Sequence, residues 1–323
     1  MSLTFTQAHR TESFLAASAL PIKLLQCEEA VQNGRIRPIH LQLIPTNRCN
    51  VNCPWCSCRN VSRSEELDDE TLWNIANSFA RWGARAVTIT GGGEPTLHKG
   101  LPRLIGNMGR LGYKIGLVTN GLVIPEELIA VGENITWMRV SSASGTIPPV
   151  ARRAAAAARA FPTTDLGISY TITAEMDIDD AILAAETVCD ISSLTHVRFV
   201  PDLTDVEAAD PSMKELEAKL GGLSPKIIFQ QRKEWTKGQT CHLGLLKPLV
   251  GADGYVYPCC GVQYAGIPDT TSWTMPPEAR MCHWEDFDKA QTFDGTQCSK
   301  CYYDDYNTIL DLMVAKVGHG DFV

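Results

Sequence analysis

No apolar run in the chain is long enough to span a bilayer, and there is no long basic tract. With a net charge of −8, it offers no positive footprint for duplex nucleic acid or an anionic membrane, so neither is expected as a partner. The seven histidines stand isolated, without a His-x3-His or His-Glu arrangement, and a structural role is expected for each. A short run, FLAASAL at 14–20, loosely mimics a secretory signal, but its brevity and Glu12 argue against export. At 323 residues, 44% hydrophobic and 20% charged, the composition is that of a folded soluble protein with one large core or two smaller ones.

What the chain has in quantity is cysteine. Its twelve cysteines cluster in threes and pairs beside Gly, Pro and aromatic residues, which suits metal ligation in a reducing cytoplasm better than disulfides. CNVNCPWC at 49–56 spaces Cys49, Cys53 and Cys56 as Cys-x3-Cys-x2-Cys. Cys53-Pro-Trp-Cys56 alone would suit zinc or a redox pair. Three thiolates on a four-iron four-sulfur cluster leave one iron open to another ligand. The loop follows IHLQLI at 39–44, a strand ending at Pro45, which puts the cysteines at a strand's carboxyl end. In AVTITGGGEP at 86–95 a second strand runs straight into three glycines and Glu94. Glycines let a ligand approach the backbone, and Glu94 offers a carboxylate to an amino group.

Taken in order, these two segments resemble the radical S-adenosylmethionine superfamily, whose three-cysteine loop and Gly-Gly-Glu segment stand here as Cys49, Cys53, Cys56 and Gly92, Gly93, Glu94. The resemblance implies a 4Fe4S cluster whose open iron is chelated by S-adenosylmethionine, with Trp55 beside the adenine. It implies a 5′-deoxyadenosyl radical that takes hydrogen from substrate, and a flavodoxin- or ferredoxin-type electron donor. It also matches Asn120, after the third strand, and Ser141, at the end of the fourth, to cofactor-contacting positions. Asn120-Gly121 is equally a plain turn and Ser141-Ser142 a loop cap.

Strand and helix patterns alternate through the first two hundred residues. Helices are expected at 68–83, 101–111, 125–131, 149–160 and 179–189, and strands at 114–121, 136–142, 166–173 and 196–201. Arg152 and Arg153 read as solvated, and Cys189 as a small core residue. A parallel α/β sheet follows, and the resemblance makes it a partial (β/α)6 barrel over 36–205. Residues 1–35 read as an N-terminal helical extension, and 206–238, punctuated by Asp, Gly and Pro around a helix at 212–220, as a linker.

Residues 239–323 read as a small α+β domain. Asp253-Gly254 is a hairpin signal that brings Cys241 and Cys259 together, and Cys298-Ser-Lys-Cys301 adds a pair. Zinc would suit these four thiolates equally well. The Cys-x12-Gly-x4-Cys…Cys-x2-Cys pattern resembles the twitch extension, a shortened SPASM domain, of radical S-adenosylmethionine enzymes, and implies one auxiliary 4Fe4S cluster. Cys27 and Cys58 stay unassigned, while Cys260 and Cys282 are candidate catalytic hydrogen donors, with packing as the plainer alternative. Glu175, Asp177, Asp202 and Asp205 are loop acids from which no general base can be chosen.

The expected activity is dehydrogenation or epimerisation of a small polar substrate, an aminocyclitol or sugar by similarity. The alternative is modification of a peptide or protein side chain, weakened because only 48 residues precede Cys49. A plain iron-sulfur electron carrier would leave Gly92, Gly93 and Glu94 without a purpose.

Overall fold

Short apolar runs bounded by capped amphipathic helices become parallel strands with helical crossovers. The computed structural model describes residues 24, 27–32, 34–142, 148–230, 236–264 and 274–315. Strands β1 (His40–Leu43), β2 (Ala86–Ile89), β3 (Lys114–Thr119), β4 (Ile135–Ser141), β5 (Asp165–Ile172), β6 (Leu194–Pro201) and β7 (Ile227–Phe229) pair in sequence order, each parallel to the next. Their carboxyl ends therefore lie on one side. The crossovers contain α1 (Asp69–Trp82), α2 (Leu101–Arg110), α3 (Val150–Ala160), α4 (Ile178–Asp190) and α5 (Val206–Leu220). In α1 the Asp68 side chain accepts from the Thr71 amide, and Leu72, Ile75, Ala76 and Phe79 form the stripe buried against the sheet.

The stretch expected to be a linker is more ordered than its punctuation suggests. Helix α5 begins at Val206, capped by Asp205, and runs through Pro211 to Leu220; β7 then joins the sheet beside β6. A proline this far into a helix removes a backbone hydrogen bond and disfavours the turn before it, which is why the start reads as loop. Cys189 lies in α4 as expected, but is exposed rather than in the core.

At the other edge, β8 (Leu249–Val250) lies parallel to β1, β9 (Tyr255–Tyr257) turns back antiparallel, and β10 (Cys282–His283) follows. The ten-stranded order is β10-β9-β8-β1-β2-β3-β4-β5-β6-β7. The sheet is an open arc with β10 and β7 as its edges, and the C-terminal hairpin extends it. The Asp253-Gly254 hairpin forms as expected, whereas Thr240–Cys241 pairs apart from it, antiparallel to Phe293–Asp294. Helix α6 (Asp304–Ala315) closes a second apolar cluster through Tyr306 and Leu310, with Leu243, Leu246 and Tyr257. Most of the expected N-terminal extension lies outside the described residues. Its described part holds Leu24 in helix, a 3-10 turn at Glu28–Ala30 and a hairpin of Val31–Gln32 with Arg35–Ile36. No helix among the described residues is long and apolar enough to cross a membrane.

Candidate functional site

The loop after β1 and the turn after β2 are knitted together by backbone. The Gly93 amide donates to the Thr46 carbonyl at 3.2 Å, and the Glu94 amide to the Arg48 carbonyl at 2.7 Å. Arg63 ties the same two segments, donating to the Gly92 carbonyl at 2.7 Å and the Asn47 carbonyl at 3.1 Å. A Cβ at Gly93 would collide with the Arg48 carbonyl. The glycines are thus needed first for this contact within the protein, a role beyond the ligand approach expected from sequence.

Glu94 is 3% exposed. Its Oε1 accepts from the Thr96 amide at 3.1 Å, the Thr96 hydroxyl at 2.8 Å and the Thr119 hydroxyl at 2.7 Å, and its Oε2 from the Asn120 amide at 2.7 Å. The carboxylate is fixed at the ends of β2 and β3. Asn120 reaches back to the cysteine loop, donating from Nδ2 to Asn50 Oδ1 at 2.8 Å. Ser141 donates to the Thr119 carbonyl at 3.2 Å, so Gly92, Gly93, Glu94, Asn120 and Ser141 converge at the carboxyl ends of β2 to β4.

Arg153 was expected in solvent and is 5% exposed. Its guanidinium donates to the carbonyls of Pro148 (3.0 Å), Ser141 (3.0 Å) and Asn120. Burial lowers its pKa, while Asp180, Cys53, Glu94 and Tyr170 oppose that shift, which places a cation between the cysteine loop and the acids of β5 and α4. Trp55, Ser142, Arg153, Tyr170, Glu175 and Asp177 line a cavity of about 630 Å³. Asp177 is engaged there as the cap of α4, accepting the Asp179 amide at 3.0 Å and the Asp180 amide at 3.3 Å. Asp202 and Asp205 accept from Thr204 and Ala208 and do not line it.

Backbone amides point at two of the three loop thiols. The Cys58 amide donates to Cys56 Sγ at 3.4 Å, and the Val51 amide supports Cys49. Burial raises both thiols' pKa values, and neighbouring thiolate charge adds to it, that of Cys56 on Cys49 and that of Cys53 on Cys56, while Arg63 opposes both shifts. Cys58 is a fourth, buried thiol. Burial pushes it up to about 12, and it accepts from Gln263 Nε2 at 3.3 Å.

Gln263 belongs to the segment that carries Cys259, so the second cysteine set touches the first loop. Cys241, Cys259, Cys298 and Cys301 line one enclosed, mostly apolar pocket. The amide two residues on supports Cys259 (Gly261, 3.3 Å) and Cys301 (Tyr303, 3.4 Å), and the Leu243 and Gly244 amides support Cys241. Burial, then the Cys241 and Cys301 charges, push Cys298 up to about 12. Among the described residues no three His, Cys, Asp or Glu side chains gather in a way that holds a single metal ion; the four thiols ring a space instead. Cys260 lies beside the Tyr303 hydroxyl, 3.4 Å away, and Cys282 on edge strand β10 faces a different cavity with Asp286 and Arg280. Neither lines the cavity of Trp55 and Arg153.

Residues 43–146 match the family model described as the Radical SAM superfamily. Among curated proteins, a GTP 3′,8-cyclase of Acidothermus cellulolyticus is 36% identical over 107 residues, 30% of this chain and 29% of that protein. One from Synechocystis sp. is 30% identical over 126 residues, 38% of each. The chain thus spans about a third of the length of these curated relatives. Among solved structures, Streptococcus suis SuiB bound to precursor peptide SuiA is similar with a TM-score of 0.56 and 13% identity, over 99% of this chain and 72% of that one. Native anSMEcpe with bound AdoMet and a peptide gives 0.55 and 15%, over 85% and 84%. At these identities the likeness is one of fold. The stretch that matches the Radical SAM superfamily model holds Cys49, Cys53, Cys56 and the Gly91–Glu94 turn.

Proposed function

We propose that the chain is an enzyme that cleaves S-adenosylmethionine reductively and abstracts hydrogen from a small polar substrate, leading to dehydrogenation or epimerisation. The observation that carries this is the convergence of the cysteine loop, Glu94, Asn120 and Ser141 at one end of the sheet, beside the Trp55 and Arg153 cavity. A 4Fe4S cluster on Cys49, Cys53 and Cys56, when bound, supplies the electron that breaks the cofactor's sulfonium bond. The protein's part is to hold and to screen. Arg63 and the Gly93 and Glu94 amides fix the loop against the turn, Trp55 offers an aromatic face for the adenine, and Arg153 keeps a positive potential beside the cavity.

Cys241, Cys259, Cys298 and Cys301 are proposed to hold one auxiliary 4Fe4S cluster in a twitch-like domain, 239–323, against a barrel domain of 36–205. The apolar pocket, the ring of four thiols and the amides aimed at sulfur support a cluster there. Four thiolates leave it no open iron, which suits electron transfer. A flavodoxin- or ferredoxin-type protein is the proposed donor. The names of the curated relatives, which concern a nucleotide, favour a small molecule over a peptide.

Iron and sulfide per chain after anaerobic reconstitution test this reading. Wild type should hold roughly eight irons and cleave S-adenosylmethionine under dithionite; replacing Cys49, Cys53 and Cys56 by alanine should leave roughly four irons and no cleavage. Roughly four irons falling to none would sink the auxiliary cluster, and wild-type cleavage by the triple variant would sink the cofactor assignment.

A further inference from the structure

Behind the second cysteine set the surface turns basic, in a chain whose net charge is −8. A groove of about 720 Å³ lies between the Arg35–Ile36 strand, the end of α1 and the turn at Trp284–Lys289. Trp82 and Phe287 give it an apolar wall; their ring centroids are 5.7 Å apart, and each stands 4.9 Å from that of the fully buried Phe79. Arg35, Arg37, Arg81 and Lys289 also line it, with Asp288 as the one lining acid. Lys289 is paired with Asp286 at 3.1 Å, and Arg81 donates to the Ser78 hydroxyl at 3.0 Å. The three arginines are exposed and make no ion pair among the described residues. Each side chain has its own footing, since Arg35 and Arg37 follow a hairpin, Arg81 ends a helix and Lys289 ends a turn.

The groove and the pocket of four thiols share a wall. Cys241 pairs with Phe293 across the antiparallel ribbon of Thr240–Cys241 and Phe293–Asp294, and both line the thiol pocket. His242, the next residue on one strand, and Thr292, the one before on the other, line the groove. A single layer of backbone therefore separates the two spaces at both strands, and the Cα atoms of Cys241 and His242 are about 3.8 Å apart. His242 is held in that wall by Asp311 Oδ1, 3.1 Å from its Nε2. Electron exchange between proteins needs their redox groups brought close, and this is a basic surface backed directly by a proposed cluster ligand.

We propose that the groove docks an acidic one-electron carrier protein beside the four-thiol site. The cations steer an acidic partner toward the surface, and the Trp82 and Phe287 wall supplies the apolar centre that contact needs. Such encounters are small and transient, which fits a groove of this size. The chain itself does not supply the missing negative charge: the side chains of 1–23 and 316–323 bring Glu12 and Asp321 against Arg10, Lys23 and Lys316. The inference deepens the proposed function by giving its electron carrier a place, and rests on that reading for the cluster behind Cys241.

Calorimetric titration of the anaerobically reconstituted protein tests it, with flavodoxin as an acidic carrier and cytochrome c as a basic one. Wild type should bind one flavodoxin per chain at low salt, at least about tenfold more weakly at high salt, and cytochrome c more weakly than flavodoxin. Reversing Arg35→Glu and Arg37→Glu together should weaken flavodoxin at least about tenfold, and so should Arg81→Glu on its separate element. Arg159→Glu, at an exposed arginine outside the groove, should bind within about twofold of wild type. No saturable flavodoxin binding, undiminished binding by the double variant, or equal binding of cytochrome c overturns the surface. If circular dichroism shows the variants unfolded, wild type answers instead: carbodiimide-activated flavodoxin should cross-link to Lys289, read by peptide mass, and cross-links confined to other lysines overturn it. A wild-type dimer in sedimentation that Arg35→Glu dissociates would give the groove to a second copy and overturn it too. Dithionite drives cofactor cleavage without a docked protein, so cleavage without flavodoxin binding sinks only the surface, and binding without cleavage sinks only the radical reading.

Discussion

At the residue scale, the cysteine loop depends on contacts that one methyl group would displace. A Cβ at Gly93 would meet the backbone of Asn47 and Arg48, which cannot rotate aside as a side chain could. Gly93→Ala should cost about 1–3 kcal/mol in denaturant unfolding and should strip iron from the first cysteine set while sparing the second. Wild-type iron in that variant would mean the loop has room. His196 gives a pH signature. Burial, then the Arg139 and Arg198 charges, hold its folded pKa at about 3, below the unfolded value near 6.5, so its contribution is present above pH 6.5 and is lost as pH falls toward 3. Between pH 6.5 and 5, wild type should lose about 2 kcal/mol more stability than His196→Asn, measured by urea unfolding at both pH values. Equal losses would mean the imidazole is protonated in the folded protein without penalty. The cysteines and the Gly-Gly-Glu segment are legible in sequence because their spacing is local. Arg63 and Arg153 are not, because the carbonyls around each come from distant segments, Asn120, Ser141 and Pro148 for Arg153.

At the scale of elements, periodicity and caps made most of the sheet and its crossovers readable. Helix α1 begins one residue after its Asp68 cap and ends before Gly83, a positive-φ stop, within a residue of where the apolar spacing places it. What periodicity missed was β7, three residues long and following Pro225, because a strand that short has no pattern of its own and is defined by pairing with β6. The β8–β9 turn was readable because Asp-Gly is a turn signal. Gly254 has φ +79°, and a Cβ there would lie 3.1 Å from His283 Nε2 on β10. Gly254→Ala should cost about 1–3 kcal/mol and lower iron at the second cysteine set, since the hairpin carries Cys259 two residues beyond Tyr257. Gly222 is the control: its φ is +78° with nothing within 4 Å, so Gly222→Ala should cost the backbone term alone and keep full iron. Matching iron loss in both variants would argue against a hairpin-specific effect.

At the scale of the whole molecule, the proposed division into two domains meets a sheet that does not divide. The Gln42 amide donates to the Pro248 carbonyl at 2.8 Å and the Ile44 amide to the Val250 carbonyl at 2.9 Å, so β8 completes β1 just before the cysteine loop begins. Leu41 and Leu43 are fully buried in the same strand, and Gln263 reaches Cys58 from the opposite cysteine set. The sequence suggested a boundary because composition turns polar between residues 202 and 238, whereas strand order is a long-range property that composition does not carry. A chain ended at residue 238 would bare the β1 edge and its apolar neighbours, a template for pairing with other chains. That truncation should elute from size exclusion as aggregate, and the intact apoprotein should unfold in one step, with circular dichroism and tryptophan fluorescence giving coincident urea curves. A monomeric, folded truncation together with two separated transitions would show instead that the arc is stable without β8, and that the C-terminal cysteine domain is an independent unit docked against it.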